Sequence, residues 1–307
     1  MIIAAIDIGS NAIRLLINEI RESGGKMSTE KISLTRVPIR LGEDVFLKGR
    51  ISREKTIQLS NAMKAFWYLM DVHKVEYFRA CATSAMREAK NRKEIIQTIA
   101  DRSNIKIDIL SGDEEAELIF KNYDQNTISD KEHHAFIDVG GGSTEISFIS
   151  PDGNSIRRSF NLGTVRSIHL GQDPQEWRRA EKWMLENRPK RVKLMGIGTG
   201  GNINTVFKIL GKKPHDTISL SEIRIIKNQM EKLDYRGRMM KYKLKPDRAD
   251  VIIPAYQIYY RLMKTASITG LKVPKIGLPD GIIKHIFEEV YQQNKSLKAP
   301  KPQLNKL

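Results

Sequence analysis

The apolar positions follow the same order twice along the chain. Residues 2–41 contain three apolar runs, IIAAIDI, AIRLLINEI and EKISLTRVPIRL, separated by short turns rich in Gly, Ser and Asn. This pattern predicts a meander of three antiparallel strands. From Ser52 the apolar residues recur with the period of a helix. The strand-like runs YFRACATS and IKIDIL then alternate with predicted helices over residues 91–102 and 111–123.

A second meander restarts the order with AFIDVG, STEISFI and SIRRSFNL. A helix opened by Asp173 and Pro174, the strand VKLMGIG and the helix NINTVFKIL follow. The chain continues with a long helical stretch over residues 219–263, a strand KVPKIG and a last helix beginning at PDGIIKHIFEEV. Because strands that alternate with helices add in parallel to a sheet, each half is predicted to be an α/β domain.

The predicted domains are residues 1–124 and 125–307, with the boundary in the polar stretch near residues 124–132. Whether the last helix packs back on the first domain is left open by the sequence. Residues 296–307 are a polar tail rich in Lys and Pro.

Composition narrows the class of protein. The 307 residues are 40% hydrophobic and 29% charged, as in a globular cytoplasmic protein. No apolar run approaches the roughly 20 residues that cross a bilayer, and the first residues, which include Asp7, do not have the pattern of a signal peptide. Cys81, the only cysteine, excludes an intrachain disulfide and is expected to be buried.

The net charge of the chain indicates the class of partner to expect. Fifty-two Lys and Arg against 36 Asp and Glu give a formal net charge of +16. Such an excess favours polyanions, whether nucleic acid, an anionic membrane surface or phosphate-rich small molecules. The alternative is a basic surface that only keeps the protein soluble.

Each meander contains an Asp followed by a Gly-rich turn. Asp7 and Gly9 in AAIDIGSNAIRLLI correspond to Asp138 and Gly140 in FIDVGGGSTEISFI. A Gly/Ser turn presents backbone N–H groups to an anion, and a strand-end Asp can hold a divalent cation that bridges phosphate oxygens. A third turn, GIGTGGNI, between a strand and a helix suits a further phosphate. For either hairpin alone, a simple tight turn is the alternative.

Two capping boxes are predicted, one with Asn91 and Glu94 and one with Ser111 and Glu114. The second box gives Glu114 a structural task. Glu115 points about 100° away around the helix and is therefore a candidate general base. The alternative for Glu115 is a solvated acidic first turn that suits the helix dipole.

Two arginines are candidate phosphate clamps. Arg87, in ATSAMREA, follows a strand, and Arg40 lies in IRLGED. An arginine in either place can hold a phosphate through two parallel hydrogen bonds. Taken singly, each is more often a surface charge.

Together these stretches resemble the Ppx/GppA family of exopolyphosphatases and guanosine pentaphosphate phosphohydrolases, from residue 4 to about residue 287. The matching stretches are AAIDIGSNAIRLLI, IRLGED, ATSAMREAKN, SGDEEAELIF, FIDVGGGSTEISFI, NLGTVRSIHL, GIGTGGNINTV and GLPDGIIKHI. The resemblance implies the α/β fold shared by actin, sugar kinases and heat-shock chaperones, with two ribonuclease-H-like domains around a central cleft. The chain looks like a short, two-domain member.

The resemblance also implies roles for residues in a hydrolysis that depends on Mg²⁺ or another divalent cation. Glu115 corresponds to the general base and Arg87 to a phosphate-contacting arginine, while Asp138 is the metal-linked aspartate with Glu145 beside it in the same hairpin. Asp7 is the matching metal candidate of the first half. The expected phosphate-binding residues are Ser10, Asn11, Arg40, Gly140, Gly141, Gly142, Ser143, Gly198, Gly200 and Gly201.

The leading hypothesis is an exopolyphosphatase that removes terminal phosphate from polyphosphate. A pppGpp 5'-phosphohydrolase and a non-catalytic sensor of polyphosphate or pppGpp are the main alternatives. A kinase or ATPase of the same superfold would need an adenine pocket, and a ribonuclease-H-like nuclease would need a cluster of carboxylates. No specific nucleic acid and no membrane is expected as a partner, and a homodimer is left open because the family often forms one.

Overall fold

The computed structural model describes residues 1–23, 26–122 and 132–295, and only the backbone of residues 22, 23, 26, 27 and 293–295. The chain divides into two compact units, Met1–Asn122 with Gly277–Leu307, and Tyr123–Ile276. Residues 24–25, the predicted linker up to residue 131 and the predicted tail lie outside the described residues. The last helix, which the sequence placed in the second domain with its packing left open, lies in the first unit.

The first unit is built on a five-stranded sheet with the strand order β3-β2-β1-β4-β5. Its elements are β1 (Ile2–Ile8), β2 (Ile13–Ser23), β3 (Lys26–Val37), α1 (Leu41–Lys48), α2 (Arg53–Val72), β4 (Tyr77–Ala82), α3 (Ser84–Glu88), α4 (Arg92–Ser103), β5 (Ile107–Ile109), α5 (Gly112–Lys121) and α13 (Leu278–Lys295). Strands β1, β2 and β3 pair antiparallel, whereas β4 and β5 run parallel to β1. β1 is buried from its second residue onward, as expected for a central strand covered on both faces.

The second unit repeats this plan in a six-stranded sheet with the order β10-β11-β9-β6-β7-β8. Its elements are β6 (His133–Val139), β7 (Thr144–Ile149), β8 (Ser155–Phe160), α6 (Thr164–Leu170), α7 (Pro174–Asn187), β9 (Leu194–Thr199), α8 (Gly201–Ile209), β10 (Thr217–Ser219), α9 (Leu220–Glu231), α10 (Tyr235–Tyr242), α11 (Pro246–Ala249), α12 (Ile252–Ala266) and β11 (Gly270–Lys272). Strands β6, β7 and β8 pair antiparallel, and β9 runs parallel to β6. Both predicted meanders are therefore present. Among the described residues, no helix is long and apolar enough to cross a membrane.

The predicted helical stretch over residues 219–263 is divided in the structure into four helices, α9 to α12. The Asp234 carboxylate caps α10 by accepting from the Gly237 N–H at 2.7 Å. Lys243 ends α10 in the left-handed conformation, with φ of 51°, and Pro246 opens α11. These residues are ordinary start and stop signals that the helical period alone concealed.

The predicted capping box of Asn91 and Glu94 is wrong, because the Asn91 amide is used elsewhere. Its Oδ1 accepts from the Ile51 N–H at 3.1 Å and its Nδ2 donates to the Ile51 carbonyl at 2.9 Å. The side chain of Asn91 therefore makes no capping bond to α4. The box of Ser111 and Glu114 at α5 is confirmed, and so is the cap of Asp173 at α7.

Helix α13 is held against α5, the helix that carries Glu115. A Cβ atom added to Gly281 would lie 1.8 Å from the Leu118 carbonyl oxygen, so the two helix backbones are in direct contact. Beside them the Asn122 amide donates to the Gly277 carbonyl at 2.9 Å. The sequence GLPDG thus places a glycine where only a hydrogen fits.

We expect Gly281→Ala to lower the free energy of unfolding by at least about 2 kcal/mol, since the added methyl group forces α5 and α13 apart. Urea denaturation measures the change. Gly277→Ala is the matched control, because its Cβ would meet only Pro279, at 3.7 Å, and should change stability by less than about 0.5 kcal/mol. Equal effects of the two substitutions would show that the close helix contact does not matter for stability.

Candidate functional site

The first Gly-rich turn, residues 9–12 between β1 and β2, is held by the start of α1. The Ser10 carbonyl accepts from the Gly42 N–H at 2.8 Å, and the Asn11 carbonyl accepts from the Arg40 N–H at 3.1 Å. Arg40 makes this bond in the left-handed conformation, with φ of 58°. The element that follows the third strand therefore fixes the turn between the first two strands.

The second turn, residues 140–143 between β6 and β7, is held in the same way by α6. Its three glycine carbonyls accept in order from the Thr164 N–H, the Val165 N–H and the Arg166 Nε, at 3.1, 2.8 and 2.7 Å. A Cβ atom at Gly163 would lie 2.3 Å from the turn backbone. The stretch NLGTVRSIHL is thus the part of the sequence that holds this turn, and its glycine allows the close approach.

The Asp beside the first turn is paired with an arginine. Asp7 stands opposite Arg14 in the register of β1 and β2, and Arg14 Nη1 donates to Asp7 Oδ2 at 2.5 Å. Burial raises the pKa of Asp7, although Arg14 acts in the opposite direction. On the next strand Arg36 stands opposite Arg14. The carboxylate of the first half is therefore compensated by Arg14.

The Asp beside the second turn has a carboxylate at the matching position. Asp138 stands opposite Glu145 in the register of β6 and β7, and beside Thr199 on β9. Ser159 Oγ donates to Glu145 Oε1 at 2.8 Å. Both carboxylates are buried, with exposed fractions of 9% for Asp138 and 1% for Glu145. The repeat thus has Arg14 in one half and Glu145 in the other.

The facing carboxylates of Asp138 and Glu145, with Thr199 beside Asp138, are suited to bind a magnesium ion. Like charges directly opposite one another in a sheet are destabilising, and a bound cation removes that cost. Mg²⁺ is commonly held by one or two carboxylates while substrate phosphates and waters complete its shell. The Thr199 hydroxyl beside Asp138 is buried and has no hydrogen-bond partner in the part of the chain that the structure describes. Among the residues that the structure describes, there is no group of three or more His, Cys, Asp and Glu side chains that could hold a metal ion by themselves.

The third turn brings a basic side chain that the sequence analysis missed. Gly200 has φ of 102°, and its Cβ would lie 3.0 Å from Asp138 Oδ1. A Cβ at Gly201, the first residue of α8, would lie 2.2 Å from an Arg248 guanidinium nitrogen. Arg248 Nη1 also donates to Asn202 Oδ1 at 3.1 Å. The guanidinium of Arg248 therefore lies against the N-terminus of α8.

Glu114 has the capping role that the sequence predicts, and its neighbour Glu115 takes no part in the cap. The Glu114 carboxylate accepts from the Ser111 N–H at 2.7 Å, and these capping bonds lower the pKa of Glu114. Glu115 is buried, with 8% of its surface exposed. Its Oε2 lies 3.8 Å from Arg87 Nη1, and the same Nη1 donates to the Leu110 carbonyl at 2.6 Å. The structure thus brings Glu115 and Arg87 together.

Three other predicted site residues have structural partners within their own unit. The Ser10 hydroxyl shares a hydrogen bond with Ser84 Oγ at 2.8 Å, and Arg40 Nε donates to Glu43. Gly198 lies inside β9, where its Cβ would meet the Leu271 side chain at 2.6 Å. These contacts stabilise the first turn and the core of the second unit.

Cys81 is buried as expected. Burial raises the pKa of its thiol to about 12, so the thiol stays protonated at neutral pH. It stands beside Asp7 in the register of β4 and β1. A reactive cysteine is therefore excluded at this position.

Comparison with known proteins gives one family over most of the chain. The sequence profile of the Ppx/GppA phosphatase family matches residues 17–289. The bifunctional 3-dehydroquinate synthase/phosphatase of Fusobacterium nucleatum subsp. nucleatum is 29% identical over 285 residues, which cover 81% of this chain and 41% of that protein. Exopolyphosphatase 2 of Mycobacterium tuberculosis is 26% identical over 309 residues, which cover 91% of this chain and 97% of that protein.

A solved structure confirms the predicted fold. The exopolyphosphatase from Cytophaga hutchinsonii superposes with a TM-score of 0.79 at 23% sequence identity, covering 94% of this chain and 98% of that one. At this identity the likeness supports the fold alone. The α/β class with two mixed sheets is therefore confirmed by the architecture and by this neighbour.

We expect Arg14→Leu to destabilise the protein by about 2–4 kcal/mol, because it leaves the buried Asp7 carboxylate without its cation. The double variant Asp7→Asn/Arg14→Leu removes both charges and should recover more than about 1 kcal/mol of that loss. Urea denaturation at neutral pH compares the two variants. If the double variant were no more stable than Arg14→Leu, the pairing of the two charges would not be what Arg14 contributes.

Proposed function

The chain belongs to the Ppx/GppA phosphatase family, and we propose that it is an Mg²⁺-dependent exopolyphosphatase that releases the terminal phosphate of inorganic polyphosphate. The observation that carries this proposal is the buried Glu115, whose neighbour Glu114 takes over the capping of α5 and which lies 3.8 Å from Arg87. The name of the mycobacterial relative, an exopolyphosphatase matched over 97% of its length, supports the choice of substrate.

Glu115 acts as the general base. Its carboxylate accepts a proton from a water molecule, which attacks the terminal phosphorus in line with the leaving oxygen. Arg87 positions the carboxylate and offers its remaining N–H groups to phosphate oxygens. Because Arg87 is itself anchored on the Leu110 carbonyl, its guanidinium is already oriented before substrate binds.

Asp138 and Glu145 would hold Mg²⁺ through their carboxylates. When bound, the ion neutralises charge on the phosphate oxygens. Glu145 is kept in place by Ser159, and Asp138 is enclosed by the backbone of Gly200. We do not extend the metal site to Asp7, since Arg14 compensates that carboxylate.

The Gly-rich turns bind the phosphate groups through backbone N–H donors. In the second unit α6 donates to the carbonyls of residues 140–142, and the Gly140 N–H donates to the Ser143 carbonyl within the turn. The N–H groups of residues 141–143 are then the backbone donors of this turn that we assign to the ligand. Arg248 and the N-terminus of α8 add positive charge. The overall charge of +16 raises the local concentration of a polyanion around the protein.

The test is orthophosphate release with Mg²⁺ from long-chain polyphosphate and from pppGpp. For Glu115→Gln we expect kcat on polyphosphate to fall at least about 100-fold, because the base is lost, while KM changes little. Glu114→Gln is the matched control. It stands on the same helix turn, Gln also closes a capping box, and its kcat should stay near that of the wild type.

Each other outcome has a separate meaning. Release from pppGpp alone would move the chain to the guanosine pentaphosphate branch of the family. Unchanged kcat in Glu115→Gln would remove Glu115 as the base. Tight binding of either compound without any release by the wild type would favour a sensor.

A further inference from the structure

The first unit contains a basic groove that the proposed reaction does not use. It is a cavity of about 490 Å³ between the start of α2 and one face of α4. Three arginines line it, Arg50, Arg53 and Arg102, against a single acidic residue, Glu94. Among the described residues none of these three arginines forms an ion pair. Their charges are therefore available to a ligand.

The arginines lie at the two ends of the groove. Arg50 and Arg53 flank Ile51, which is bonded in both directions to the Asn91 amide at the start of α4. Arg102 lies in the last turn of the same helix. At about 1.5 Å per residue, the stretch from Asn91 to Arg102 spans about 16 Å. Cations separated by this length suit an extended anion rather than a single phosphate.

The walls between the two ends are mixed, with Ile57 and Ile95 as apolar residues and Glu94 as the acidic one. Thr98 lines the groove on the same face of α4 as Arg102, one helical turn away. Helix α4 begins at the Asn91 end without a side-chain cap, so its first N–H groups add positive potential there. The positive charge is therefore concentrated at the two ends of the groove, with Arg50 and Arg53 at one end and Arg102 at the other.

The groove adjoins the segment that carries Arg87. Arg92, the first residue of α4, donates from Nη1 to the Arg87 carbonyl at 2.6 Å, and Arg87 in turn contacts Glu115. We propose that this groove binds the distal segment of a polyphosphate chain whose terminal phosphate reacts at Glu115 and Arg87. This inference rests on the proposed function for its substrate and adds a chain-length specificity site to it.

The test removes the three charges together, as Arg50→Ala/Arg53→Ala/Arg102→Ala. The matched control, Arg178→Ala/Arg224→Ala/Arg236→Ala, removes the same charge from exposed arginines that also form no ion pair among the described residues. For the groove variant we expect KM for long-chain polyphosphate to rise at least about tenfold, since charge-assisted hydrogen bonds are lost. Its kcat, and its KM for tripolyphosphate, should stay within about twofold, as should both constants of the control variant.

A binding measurement without Mg²⁺ separates this inference from the proposed function. Long-chain polyphosphate is titrated into each protein in the presence of EDTA, and the groove variant should bind at least about tenfold more weakly than the control variant. That result, with no hydrolysis by the wild type, would support the groove and reject the proposed function. Equal weakening in both variants, or equal weakening for tripolyphosphate and the long chain, would overturn the groove assignment.

Discussion

The hydrogen bonds that fix the Gly-rich turns are the constraint on which the rest of the structure depends. In each unit the helix after the third strand donates to the carbonyl oxygens of the turn between the first two strands. With these carbonyls engaged, the turn backbone has one conformation, and the Asp at the end of the first strand has one position. Glycine at residues 42 and 163 makes the approach of the helix possible. The two halves of the chain resemble each other because both must satisfy this arrangement.

The halves differ in the charge placed opposite that Asp. Arg14 pairs with Asp7 within hydrogen-bonding distance, so the first half has a closed ion pair that needs no further ligand. Glu145 stands opposite Asp138, so the second half places two buried carboxylates next to each other. A divalent cation would stabilise this pair of negative charges. One substitution at an equivalent position thus separates a structural pair from a candidate metal site. In the first half the candidate catalytic residues lie on other elements, Glu115 on α5 and Arg87 on α3, 3.8 Å apart.

Local sequence signals were sufficient for the two meanders and for the capping box of Ser111 and Glu114. Each depends on neighbours close in sequence, such as the Ser111 cap. The sequence could not predict the hydrogen bonds between the Asn91 amide and the backbone of Ile51, because these residues are distant along the chain. Arg248 could not be predicted for the same reason, because its contact with Gly201 joins α11 to α8, which are distant along the chain. Asp7 was a metal candidate because its motif matches that of Asp138, and only the register of β1 and β2 reveals Arg14 as its partner.

The assignment of the cation to the second half is tested most directly by a crystal structure with Mn²⁺ in place of Mg²⁺ and a short polyphosphate bound to Glu115→Gln. Manganese gives an anomalous signal that identifies its position independently of the surrounding atoms. We expect an anomalous peak within coordination distance of the carboxylates of Asp138 and Glu145, with the Asp7–Arg14 pair intact. A peak at Asp7 with Arg14 displaced, and none at Asp138, would contradict the separation of roles between the two halves.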